Sequence, residues 1–234
     1  MNSEVEVYKP KHHIRIVTAT SLFDGHDAAI NIMRRILQDT GVEVIHLGHN
    51  RSVQEIVDAA IEEDVQGVAV SSYQGGHIEF FKYLVDLLKE RGAPHIRVFG
   101  GGGGVIVPEE ISDLEAYVVT KIYSPEDGAN MGLQGMINHM VRCMDFSTLK
   151  EGEIPLEDLS PQSKLAVAKL ITAAEQAKAS EDGHLADLRA KLAKKIGDRK
   201  TPVIGITGTG GAGKSSLTDE VILRIQHDLK NNQV

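Results

Sequence analysis

From residue 14 to residue 144, short apolar runs alternate with segments whose apolar residues recur at helical spacing. The runs at 14–19, 42–47, 67–71, 96–99 and 117–120 are strand-like in composition and length. Between them, 27–40, 52–63, 78–91 and 126–144 read as helices. The first sets Ala29, Met33, Ile36 and Leu37 on one face and ends at Gly41, a residue suited to the left-handed position after a helix. Near-continuous apolar strands separated by amphipathic helices predict an α/β domain: a doubly wound, five-stranded parallel sheet covered on both faces.

Residues 147–159 are polar and break the pattern. Ser160-Pro161 then reads as an N-cap followed by proline at the first helical position, opening a helix over 165–179. A further helix carries Leu185, Leu188, Leu192 and Ile196 on one stripe. Isolated helices of this length are marginal, so the stripes (Leu165 and Ile171; Leu185, Leu188 and Leu192) must be covered. The expectation is a partner, either a nucleotide-binding domain or a second subunit. The alternative is a spacer packed on its own sheet domain. After Lys200 an apolar strand is expected at 203–207, and Gly208-Thr209-Gly210-Gly211-Ala212-Gly213-Lys214-Ser215 matches the G-x-x-x-x-G-K-[ST] phosphate loop at a strand-to-helix junction. The backbone N–H groups of such a loop cradle phosphates, Lys214 reaches the β- and γ-phosphates, and the Ser215 hydroxyl binds Mg²⁺. One strand and one helix cannot bury a core, so the expected organisation is a sheet domain (12–146), a helical linker (147–200) and the truncated start of a P-loop domain (201–234) within a longer protein.

Composition narrows the class. The chain has 234 residues, 41% hydrophobic, and a formal charge of −8, which argues against sequence-independent nucleic-acid binding. No apolar stretch approaches the roughly 20 residues of a membrane span, and the N-terminus lacks the apolar core of a secretory signal. Cys143 stands alone, so a cytoplasmic protein is expected.

In a doubly wound sheet, ligands bind beyond the carboxyl ends of the strands, where the strand order reverses. Three loops should converge there: Asp24-Gly25-His26 after the first strand, Ser71-Ser72-Tyr73 after the third, and the glycines 100–104 after the fourth. A histidine beside a carboxylate is how a metal-ligating imidazole is oriented and made more basic. His77 follows Gly75-Gly76 at the same edge and is a weaker candidate. His46 and His49 lack a carboxylate or cysteine to complete a zinc shell. Phe80, Phe81, Met131, Met136 and Met140 read as core.

These residues resemble the cobalamin-binding domain of adenosylcobalamin-dependent mutases and methionine synthase, with its signature D-x-H-x-x-G, S-x-L and G-G. Here it is met by Asp24, Gly25 and His26, by Ser71 to Tyr73, and by Gly103-Gly104. Ala29 and Tyr73 replace the signature's glycine and leucine. Thr20 stands where the mutases often carry a lysine, so support for Asp24 is expected to be weaker or solvent-mediated. With a P-loop following, the order resembles fused acyl-CoA mutases that carry a MeaB-like G-protein chaperone domain and a substrate-binding TIM barrel.

The resemblance implies a flavodoxin-like fold and base-off cobalamin, with His26 as lower cobalt ligand, the nucleotide tail near Ser71 and the Gly103-Gly104 turn, and Tyr73 among the cofactor-binding residues. It implies adenosylcobalamin-dependent radical isomerisation of an acyl-CoA, of the isobutyryl-CoA/n-butyryl-CoA or methylmalonyl-CoA type. GTP and Mg²⁺ would bind at Gly208, Gly213, Lys214 and Ser215, and the whole protein would be a homodimer. Without the barrel the chain alone is expected to be inactive. Methyl-carrying corrinoid proteins, in which a helical cap precedes the domain, and non-catalytic cobalamin carriers are the alternatives. A receiver domain would need an aspartate where Ser71-Ser72 stand, and a flavodoxin would need aromatics beside a flavin ring.

Overall fold

The computed structural model describes residues 5–149, 156, 159–160, 162–179, 184–197 and 202–228. In chain order the elements are β1 (Arg15–Ser21), α1 (Ala28–Asp39), β2 (Glu43–Arg51), α2 (Val53–Glu62), β3 (Gly67–Ser71), α3 (His77–Glu90), β4 (Arg97–Gly101), α4 (Pro108–Ala116), β5 (Lys121–Tyr123), α5 (Pro125–Met144), α6 (Lys164–Ala179), α7 (His184–Ile196) and α8 (Lys214–Asp228). Contacts divide the chain into Met1–Ala190 and Lys191–Val234.

In the first unit the strands pair in the order β2-β1-β3-β4-β5, all parallel. This is the flavodoxin-like arrangement, with its switch point between β1 and β3. Alternate strand residues feed opposite faces. Val17, Val68, Val70 and Val98 pack with Ile56, Phe81, Leu84 and Leu114 beneath α2, α3 and α4. Ile16, Ala69 and Phe99 pack with Ile30, Leu37, Ile137 and Met140 beneath α1 and α5. The period of two along each strand therefore builds two cores from one sheet.

Local chemistry sets the helix ends. Ser52 accepts from Glu55 N–H and the Glu55 carboxylate takes Ser52 N–H, a reciprocal cap that opens α2. Gly41 takes φ 92° just after α1, as a left-handed terminator does.

Two expectations need correction in this unit. The fifth strand lies at Lys121–Tyr123, beyond the apolar run at 117–120. That run closes α4 instead: Tyr117 N–H bonds back to Asp113, and Val118 turns out to 75% exposure with φ 80°. Helix α4 itself is short and carries few apolar residues, so its sequence shows no helical stripe. The helix read over 126–144 is broken at Gly132 (φ 64°, ψ 172°), a conformation essentially confined to glycine.

The helix expected after Pro161 starts at Lys164; Pro161 itself lies outside the described residues. Helix α6 packs on α2 of its own domain, as the spacer alternative expected. It buries Ala166, Ala168, Thr172 and Ala173 and leaves Ile171 exposed. Arg15 reaches Thr172 Oγ1 at 3.2 Å and pairs with Glu43 and Glu175, while Thr172 Oγ1 donates to buried Asp64 at 2.8 Å. Lys164 pairs with Glu62.

In the second unit, residues 202–208 are not a strand, because a strand needs a neighbour to take its backbone bonds and none is described. Val203 and Ile204 are exposed, and no residue of α8 is buried. Among the described residues no helix is long and apolar enough to cross a membrane.

Candidate cofactor site

The loop after β1 and the ends of β3 and β4 meet at one edge. Asp24 is the junction. Its carboxylate is fully buried and takes three donors: Tyr73 N–H from the end of β3, His26 N–H at 2.9 Å, and His26 Nδ1 at 2.7 Å. Burial works against ionisation, but the bonds from Tyr73 and His26 outweigh it and hold Asp24 below the ordinary carboxylate range. Backbone and imidazole donors thus supply the support that the missing lysine suggested would be weak. Thr20, at the lysine's position, has a buried hydroxyl with no partner among the described residues.

His26 is fixed on one side and open on the other. Its side chain is 71% exposed, Nδ1 is engaged by Asp24, and the ring lies 5.7 Å from that of Tyr73. A neutral imidazole whose Nδ1–H is donated to a carboxylate presents Nε2 as a basic acceptor.

Beside this pair a cavity of about 330 Å³ opens between the strand ends and the α1–α5 layer. Ser71, Tyr73 and the glycines 100–103 form its sheet side; Met33, Leu37, Met136 and Met140 wall the helix side. Met136 and Met140, expected as core, bound the cavity as well, whereas Met131 packs on the core and does not line it. The break at Gly132 lies between Gly128 and Leu133, both of which line it.

The glycines are needed here for close approach. A Cβ at Gly102 would lie 2.0 Å from Ser72 O, and one at Gly103 would lie 2.9 Å from the Tyr73 ring. Gly104 and Gly25 have open space at that point, and Gly104 is not on the cavity wall. So Asp24, His26, Ser71, Tyr73 and Gly103 come together, with Gly102 the crowded neighbour that the pattern G-G did not single out.

His77 is turned away from ligand duty. It is buried, with Nδ1 on Gln74 O and Nε2 on Glu110 at 2.9 Å. His46 is bonded to Thr18, and burial pushes its pKa down. Among the described residues no three His, Cys, Asp or Glu side chains are grouped to hold a metal ion by themselves.

In the second unit the loop is shaped but turned on itself. Lys214 Nζ donates to the carbonyls of Gly208 at 2.9 Å and Thr209 at 2.7 Å, Gly213 takes φ 77°, and Ser215 is exposed at the start of α8.

A doubly wound sheet with a carboxylate-oriented histidine beside an apolar cavity at the carboxyl ends of its strands suits a module for a large organic cofactor. The chain belongs to the B12 binding domain family, whose model matches residues 14–130. It is 57% identical over 230 residues to the fused isobutyryl-CoA mutase of Geobacillus kaustophilus, an alignment covering 97% of this chain and 21% of that protein. To the protein of the same name from Cupriavidus metallidurans it is 58% identical over 219 residues, covering 94% of this chain and 20% of that one. The 2-hydroxyisobutanoyl-CoA mutase small subunit of Aquincola tertiaricarbonis is 38% identical over 97 residues, covering 42% of this chain and 69% of that subunit. The chain thus spans about a fifth of the length of the fused mutases it matches.

Proposed function

We propose that the chain holds cobalamin base-off, as the cofactor-binding part of an adenosylcobalamin-dependent acyl-CoA mutase of the isobutyryl-CoA type. The observation that carries this reading is His26: an exposed imidazole held by a wholly buried carboxylate beside an apolar cavity. The site suits the group. The cavity's walls are almost entirely apolar, the crowding at Gly102 and Gly103 leaves backbone as the surface on the sheet side, and Nε2 of His26 makes no bond of its own among the described residues.

His26 would be the lower cobalt ligand, with Asp24 holding Nδ1–H and so the ligating tautomer. Ser71, Tyr73 and Gly103 would line the place of the nucleotide tail, with Gly25 and Gly104 on the flanking turns. The adenosyl form of the cofactor supplies homolytic Co–C chemistry for a 1,2 carbon-skeleton rearrangement, and the protein contributes binding, orientation and exclusion of water. The acyl-CoA would be held by a barrel domain outside this chain.

Residues 12–146 would be the cobalamin domain, 147–200 the linker, and 201–234 the opening of a G-protein domain. In the nucleotide-bound form Gly208 and Gly213 would shape the phosphate cradle, Lys214 would exchange its own loop carbonyls for GTP phosphates, and Ser215 would bind Mg²⁺. A cytoplasmic homodimer is the expected assembly of the whole protein.

A titration of the chain with cobalamin, followed by ultraviolet–visible absorption, tests the reading. A base-off, histidine-coordinated spectrum is expected. Cobalamin remaining base-on in the presence of excess chain would contradict it.

A further inference from the structure

The loop that carries His26 is braced by bonds that no part of the Asp-x-His motif accounts for. Asp24 N–H closes a turn on Ser21 C=O at 3.1 Å, which puts Phe23 at the turn's third position with φ 64°. Glycine or asparagine usually fills that position, because a bulky side chain there crowds its own backbone. Burial does not hold Phe23 in place, since the residue is 79% exposed.

Two neighbouring strand ends do. Phe23 N–H donates to Asn50 Oδ1 at 2.8 Å, and Phe23 C=O accepts from Gln74 Nε2 at 2.5 Å. Asn50 N–H then donates to Asp24 C=O at 3.2 Å. Asn50 itself sits in a left-handed conformation, φ 56°, which asparagine tolerates better than most residues. Its side chain and its main chain therefore bracket the residue pair that immediately precedes Gly25-His26. Asn50 is exposed and fills no core space.

We propose that Asn50 is a positioning residue for the cofactor: its bracket on Phe23 and Asp24 holds the strained turn from which His26 is presented. Strained backbone persists only where its surroundings over-determine it, and here the surroundings are polar side chains on the rim of the site. A loop already in its binding geometry has no ordering cost to meet when the ligand arrives. The inference rests on the cobalamin reading of His26.

The test uses two variants of the full chain. Asn50→Gly keeps the left-handed backbone and removes the acceptor; Asn50→Asp keeps both. Each is measured by thermal melting, by equilibrium dialysis with cobalamin, and by the absorption spectrum of the bound fraction. Asn50→Gly should lower the affinity for histidine-coordinated cobalamin about 10-fold, the lower end for a residue acting behind a metal ligand. Its melting temperature should stay unchanged, and Asn50→Asp should behave as the parent. Unchanged coordination in Asn50→Gly would overturn the proposal, and so would a loss that only tracks a fall in melting temperature. A parent chain that binds no cobalamin through histidine would instead overturn the reading on which the proposal rests.

Discussion

The backbone N–H of Tyr73, at the end of β3, donates to Oδ2 of Asp24, on the loop after β1. This bond spans the switch point of the sheet and leaves Oδ1 for both donors of His26. The carboxylate is thus a two-sided tie, and replacing it by an amide removes the charge that organises all three donors. Asp24→Asn should weaken cobalamin affinity about 10- to 100-fold, the range for residues behind a metal ligand, while keeping the fold. Equilibrium dialysis checks this, and parent affinity in the variant would count against the role given to Asp24.

The glycine turn after β4 separates steric need from mere sequence bias. Gly102→Ala places a methyl 2.0 Å from the Ser72 carbonyl, and neither backbone can yield without disturbing the end of the sheet. It should cost about 1–3 kcal/mol, as overpacking does. Gly104→Ala enters open space and should be close to neutral. Chemical denaturation of both variants decides the point; equal stabilities would show that the turn relaxes freely.

Most of the sheet was legible because strands buried on both faces are written as unbroken apolar runs, and 67–71 was read to the residue as β3. The misplaced fifth strand shows the limit of that signal. Val118 and Val119 look like strand, yet they close a helix, whereas Lys121-Ile122-Tyr123 pairs with β4 despite its charged first residue. The Asp-x-His pair was legible through its chemistry. Asn50 and Gln74 were not, since a polar loop residue acquires meaning only when the fold brings another loop to it. The cavity was hidden for a different reason: Met136 and Met140 wall it with the same residues that a solid core would use.

Thr172 links α6 to the sheet domain through Asp64, whose Oδ2 also takes Thr148 Oγ1 at 2.6 Å. Thr172→Val keeps the shape and deletes one donor to a buried carboxylate whose other oxygen has no partner among the described residues. A loss of about 1–3 kcal/mol is expected, with faster amide exchange along α6. Exchange unchanged in α6 would show that its alanine face and its ion pairs with Arg15 and Glu62 hold it without Thr172.

Asp145 gives the fold an acid-sensitive anchor. It accepts from Tyr8 Oη at 2.7 Å and from the N–H groups of Lys11 and His12, with His12 Nδ1 at 2.8 Å. Burial raises its pKa, but these donors prevail and pull it from 3.8 to about 2. A folded-state value below the unfolded one means that the contribution is complete above the unfolded pKa and is lost as pH falls through the folded one. Stability should therefore decline from about pH 3.8 toward about pH 2, and Asp145→Asn should flatten that limb. Superimposable acid limbs for parent and variant would remove Asp145 as the cause.

Ligation of cobalt by His26 is read out by electron paramagnetic resonance of cob(II)alamin bound to the chain labelled with ¹⁵N-histidine. Superhyperfine splitting from a single ¹⁵N nucleus is expected, and its loss in His26→Ala. Splitting from an unlabelled ¹⁴N nucleus in the labelled parent chain would mean that the cofactor keeps its own base, and would contradict the assignment.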